Sequence, residues 1–305
     1  MPNWKEVLDE LQKESKKGKG AKALDFVRRK YLKEIFKLTG RNTIAYYSGW
    51  LQKPGLVDVY INDKDKSALM VTIHKLDRTK GLDLILHTPG GDLGATESFV
   101  DYLHLMFGTD IRAIIPQISM SGGTMIIFSC KEVVMGKQSN LGPIDPQMGG
   151  VACKAVLDEF QNAKDDIKKN PHSAGLWQAI ISKYHPTFLG ACQQAIEWSE
   201  TLAEKWLLRN MCKDDRANTK KIMKEFCDHK VQKSHSRHIS TEQCKRVGIK
   251  VIDMEDDDKL QDLILTTHHA FMHTFAQSTA VKIVENHLGI AFVEHQNIKI
   301  QAQPN

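Results

Sequence analysis

An α/β fold, with a mostly parallel sheet covered by helices on both faces, is predicted by three observations. Between Asn42 and Gly150, short and continuously apolar runs alternate with stretches of helical periodicity. Those runs are too short to be helices and are rich in Ile, Leu and Val, as strands buried on both faces are. On either side of this alternation, over residues 1–40 and again beyond Gly150, the chain reads as helical.

The elements follow in order. Trp4, Val7, Leu8 and Leu11 keep helical spacing, and Leu24, Val27, Tyr31 and Ile35 mark a second amphipathic piece beyond a lysine-rich link at Ser15–Gly20. Thr43–Tyr47 is strand-like, residues 66–79 suit a helix stopped by Gly81, and Leu82–His87 reads as a buried strand. A helix is expected over Ala95–Met106, a strand over Ile111–Ile118, a helix over Gly122–Ser129 and a short strand over Glu132–Met135. Further helices are expected near 152–168, 173–184, 187–211, 215–226, 240–247 and 258–275. Leu260, Leu263, Ile264, Phe271 and Phe275 carry the stripe of the last one. The acidic run Asp253–Asp258 reads as a solvated loop capping that helix.

At 305 residues the chain can bury one full core with helical appendages. Its net charge of +5 is concentrated in residues 1–42, which hold 12 Lys/Arg against 6 Asp/Glu and read as a solvated helical face. The six cysteines are dispersed without a C-x-x-C pair, as in a reduced, cytoplasmic protein. The start, Met1 to Gly20, reads as polar and lysine-rich rather than as an apolar signal core, and no apolar run approaches a membrane span. Nucleic acid is not expected as a partner, and any membrane contact would be peripheral.

The chemistry-bearing stretch is Ile118-Ser119-Met120-Ser121-Gly122-Gly123-Thr124, read with Thr88-Pro89-Gly90-Gly91 upstream. Ser121 falls where a strand gives way to a helix, so its hydroxyl is exposed beside helix-start N–H groups that favour developing negative charge. Gly90 and Gly91 follow another strand and can offer bare backbone to the same point. A nucleophile with an oxyanion hole made by the Gly91 and Gly122 N–H groups fits this pattern; so does a serine that merely caps a helix. Ser119 is the weaker nucleophile candidate. The Gly-Gly-x-x-Gly loop does not match the dinucleotide fingerprint, and a Walker motif is absent, so no cofactor is expected.

These strings, with Ser139-Asn140-Leu141-Gly142-Pro143-Ile144-Asp145-Pro146-Gln147, resemble the serine dehydrogenase proteinase family. That family sits in the wider group of signal peptide peptidase A, the Clp protease proteolytic subunit and the crotonases. The clear match covers residues 42–160, and Leu260–Leu263 and His268–Phe271 also look familial. The resemblance implies a ClpP/crotonase-like core of repeated ββα units at 42–160, between a basic arm at 1–41 and a mostly helical, oligomerising region at 161–305. It implies a serine peptidase acting on peptides or unfolded proteins through an acyl-enzyme. Ser121 is then the nucleophile, with Gly90, Gly91 and Gly122 holding the oxyanion and substrate backbone. It also implies self-association into a trimer, hexamer or larger ring. A catalytically silent scaffold and a crotonase-type acyl-thioester enzyme are the alternatives.

The base is less determined. No histidine lies between His87 and His172, so the Clp-type histidine cannot be carried over. Relatives with a Ser-Lys dyad match best at Lys154, near the start of a helix and flanked by Val151, Ala152 and Val156, whose apolar surroundings would lower an amine pKa. Lys164 and Lys137 are fallbacks. Asp145 could orient a base or structure its proline-flanked turn. Cys227, His229, His235 and His238 have a spacing that zinc could use, but lack paired-ligand motifs and read as solvated or inter-subunit residues. No metal is expected there. His268, His269 and His273 read as helix-packing residues.

Overall fold

In the computed structural model, which describes residues 4–228, 231 and 234–296, seven strands form the central sheet. In chain order they are β1 (Asn42–Ser48), β2 (Leu82–His87), β3 (Ile111–Ile115), β5 (Glu132–Met135), β10 (Val251–Asp253), β11 (Ala280–Asn286) and β12 (Ala291–His295). The spatial order is β10-β5-β3-β2-β1-β11-β12; β10 to β1 run parallel, and β11 and β12 add antiparallel.

Alternation along each strand explains the continuous apolar runs. Ile44 and Tyr46, Leu84 and Leu86, and Ala113 and Ile115 enter one core, whereas Ala45, Tyr47, Ile85 and Ile114 enter the core on the opposite face. The first core is closed by α3 (Lys64–Ile73), α4 (Leu93–Phe107), α5 (Gly122–Phe128) and α8 (Phe188–Arg209), whose Trp206 is fully buried. The second is closed by α2 (Lys22–Thr39) and α11 (Asp258–Gln277). Helix α1 (Trp4–Glu14) packs Val7 and Leu11 against Val27 of α2 and Ala270 of α11. The mixed α/β class with helices on both faces is therefore as expected.

Three expectations need correction. The run Ile111–Ile118 is two strands, because Pro116 has no N–H with which to continue the ladder. Beyond it, β4 (Ile118–Ser119) leaves for a second sheet with β6 (Asn140–Leu141) and β9 (Ile239–Ser240). The helix expected over 66–79 ends at Ile73, followed by a turn at Arg78–Lys80 capped by Asp77. The region beyond 250, expected to be mostly helical, also contributes strands β10 to β12 to the main sheet. Strand β11 is not legible as an apolar run because Lys282 and Glu285 interrupt its pattern, yet both are fully buried. Lys282 Nζ lies 3.0 Å from Asp65 Oδ1 and donates to Tyr60 O, and Glu285 accepts from Arg28 and Arg29.

Beyond β5 the chain makes a hairpin of β7 (Gln147–Met148) and β8 (Val151–Ala152), then α6 (Cys153–Lys169) and α7 (Ala174–Ile181). After α8 come α9 (Arg216–Cys227) and α10 (Thr241–Val247). Among the described residues, no helix is long and apolar enough to cross a membrane.

Candidate active site

Ser121 stands between β4 and α5 with φ 50° and ψ −115°. Positive φ is uncommon for a residue with a side chain, and such strain concentrates at functional turns. Its side chain makes no capping hydrogen bond, so the capping reading of Ser121 loses its observation. The turn is held by its neighbours. The Met120 N–H donates to Thr88 O at 3.0 Å, Gly123 N–H to Met120 O at 2.8 Å, and Met125 N–H to Ser121 O at 3.1 Å. Ser119, by contrast, is completely buried.

Gly90 and Gly91 meet this turn because nothing larger fits. A Cβ at Gly90 would lie 2.8 Å from both Gly122 N and the Ser121 Cβ. Gly91 pairs with Ile61 in a parallel bridge, in which the Ile61 N–H donates to Gly90 O and the Asp92 N–H to Ile61 O. In that geometry the N–H of Gly91 itself points away from Ile61. The Gly91 nitrogen lies close to the serine turn: a Cβ at Gly122 would be 3.4 Å from it. The Gly122 N–H, in the first turn of α5, has no helical acceptor. The backbone nitrogens of Gly91 and Gly122 thus lie together beside a partly exposed serine, and N–H groups so placed are the kind that can stabilise a tetrahedral oxyanion.

The hydroxyl opens into a cleft of about 610 Å³ walled by Leu93, Met125, Ile144, Met148, Ala195 and Trp198, large enough for a peptide side chain. Helix α8 supplies the outer wall. Asp145 is buried and reaches this cleft from the Gly142–Pro146 turn, which is tied down by Gly142 N–H to Ser119 O and Thr124 Oγ1 to Gly142 O.

Lys154 is placed differently. It lies in the first turn of α6, half-exposed, with its Nζ 3.8 Å from Asp158 Oδ1. It lines an adjoining cavity of about 510 Å³ that shares Ile144, Asp145 and Pro146 with the serine cleft, and it is absent from the walls of the cleft itself. Lys137 and Lys164 are exposed and line neither. The histidine that lines the cleft with Ser121 is His235, half-buried, with Nδ1 3.9 Å from Asp145 Oδ2. Burial pushes the imidazole pKa below its ordinary value, while Asp145 opposes that shift, so the ring is neutral at pH 7. Sequence spacing grouped His235 with a solvated cluster. The signal that could have placed it is the pairing of Ile239 with Leu141, a contact between remote segments. His238 is exposed, and His229 lies outside the described residues. Among the described residues, no group of three or more His, Cys, Asp or Glu could hold a metal ion.

The family description ClpP-like SDH-type serine proteinase matches residues 22–266, which take in the whole of this site. The chain belongs to that family. The chain is also similar to two proteins of Methanocaldococcus jannaschii. It is 30% identical to uncharacterized protein MJ0137 over 107 residues and 32% identical to uncharacterized protein MJ1495 over 108 residues. Each match covers 35% of this chain and 37% of the relative. Membership in a ClpP-like serine proteinase family agrees with a mostly parallel sheet that delivers a strained serine to a helix start.

Proposed function

We propose that the protein is a serine peptidase that cuts peptides or unfolded proteins through an acyl-enzyme on Ser121. The observation that carries this reading is the strained, uncapped Ser121 beside the backbone nitrogens of Gly91 and Gly122 and lining a cleft. In the reaction Ser121 Oγ attacks the scissile carbonyl carbon, and the displaced electron pair moves onto the carbonyl oxygen, held by the two N–H groups. Collapse expels the amine half of the substrate, and water then releases the acyl half. Gly91, already in a β-bridge, and the adjoining Gly90 suit an extended substrate backbone, a sequence-tolerant mode of recognition.

The Ser-Lys version of this reading needs the Lys154 amine to leave Asp158 and enter from the adjoining cavity. Self-association belongs to the same proposal. Helix α7 buries none of its residues although it is mostly apolar, and Leu176 is 66% exposed. The peptidase reading is tested by incubating fluorescently labelled casein with the wild type and with Ser121→Ala. Cleavage by the wild type alone is expected; equal cleavage, or none by either, would contradict it.

A further inference from the structure

We propose that His235 is the general base of this site and that Asp145 is its positioning residue, so that the site works as a Ser-His-Asp constellation. This rests on the reading of Ser121 as nucleophile and adds the group that activates it.

Three observations carry it. First, Ser121, Asp145 and His235 line one cleft, which neither Lys154 nor the two fallback lysines enters. Second, the fold brings the pair together by a defined device. Leu141 of β6 pairs antiparallel with Ile239 of β9. Asp145 lies four residues beyond Leu141, and His235 lies four residues before Ile239. Two chains leaving an antiparallel ladder in opposite senses keep such positions opposite each other. The Ile144 N–H donates to Phe226 O at 2.7 Å, and Arg237 donates to Val231 O and Glu225, which pins both flanks of the histidine turn. Third, the buried Nδ1 is the ring nitrogen that lies near the Asp145 carboxylate, which assigns the proton-accepting role to Nε2. The 3.9 Å approach is longer than a hydrogen bond, as catalytic contacts often are before substrate closes the site.

The steps balance. Nε2 takes the Ser121 hydroxyl proton as Oγ bonds to the carbonyl carbon, and the imidazolium returns that proton to the leaving amine. In deacylation Nε2 takes a proton from water as its oxygen attacks the acyl carbon, and gives that proton back to Ser121 Oγ. Asp145 holds the ring and stabilises the imidazolium. The other ionisable groups on the cleft are Asp92 from the cap of α4 and Tyr60, while Glu200 of α8 and Lys154 of α6 open onto the adjoining cavity.

The test is the rate at which a fluorophosphonate labels the protein between pH 5 and 9. The wild-type rate should fall along an acid limb below about pH 6.5, where an imidazole rather than an amine protonates. His235→Gln and His235→Asn should label about 100-fold to 10,000-fold more slowly and lose that limb. Asp145→Asn should slow labelling and move the limb to lower pH, because the imidazolium has lost its anion. Thermal unfolding identifies which variants are folded. A folded His235 variant that labels at the wild-type rate, or a wild-type rate that falls only along a limb above pH 8, overturns the assignment while Ser121→Ala stays unlabelled. If Ser121→Ala labels as fast as the wild type, the nucleophile reading itself has failed.

Discussion

At the residue scale the site depends on backbone that few side chains tolerate. Ser121 holds φ 50° and ψ −115° because Met120, Gly123 and Met125 fix the turn around it. Glycine adopts that conformation freely, so Ser121→Gly should raise stability by about 1 kcal/mol in urea denaturation while abolishing activity. A loss of stability would mean that the turn is unstrained. Gly91 presents the opposite case. A Cβ there would lie 2.3 Å from Ile61 N, a backbone atom that cannot move without breaking the bridge. Gly91→Ala should therefore displace one oxyanion donor and lower casein turnover by about 100-fold or more, with the fold intact by circular dichroism. Turnover within threefold of wild type would show that the Gly91 N–H does not serve the reaction.

At the element scale, the strands that position Ser121 and its glycine loop are legible in the sequence, because each is a short apolar run buried on both faces. The serine turn was legible as small residues at a strand-to-helix junction, and the two-glycine loop as punctuation after a strand. Three things were not. Pro116 divides one apolar run into strands of two sheets, which periodicity does not register. Strand β11 hides its character behind Lys282 and Glu285, whose burial is made possible by partners far away in sequence. His235 reaches the cleft only through the β6–β9 pairing. The Lys282 cluster bears directly on the site. Lys282 binds Asp65 and the carbonyl of Tyr60, next to the Ile61 that bridges Gly91. Burial raises the Asp65 pKa and Lys282 opposes that shift, so the carboxylate depends on its partner. Lys282→Met should destabilise the protein by about 3–5 kcal/mol, and Asp65→Asn in addition should restore much of the loss. A single variant within 0.5 kcal/mol of wild type would contradict this.

For the whole molecule, the second core contains a seam of histidines, His87, His268, His269 and His273, all held below their ordinary pKa chiefly by burial, His268 down to about 3. The unfolded chain binds protons at these rings near pH 6.5 and the folded chain does not. Their neutral state therefore stabilises the fold above about pH 6.5, and that contribution is lost as pH falls toward their folded values. Between pH 7 and 5, the buried His87 and His268 should each remove about 2 kcal/mol of stability. Equal urea midpoints at the two pH values would rule this out. The exposed apolar face of α7 predicts that sedimentation equilibrium finds species heavier than the 34.5 kDa chain, and that Leu176→Lys shifts them toward monomer. The family, the sheet and the strained serine turn all support the proposal that Ser121 forms the covalent intermediate. Intact mass after fluorophosphonate treatment, followed by peptide mapping, tests this most directly. A single adduct on Ser121, absent in Ser121→Ala, is the predicted result; an adduct on another residue, or none on the folded wild type, would contradict it.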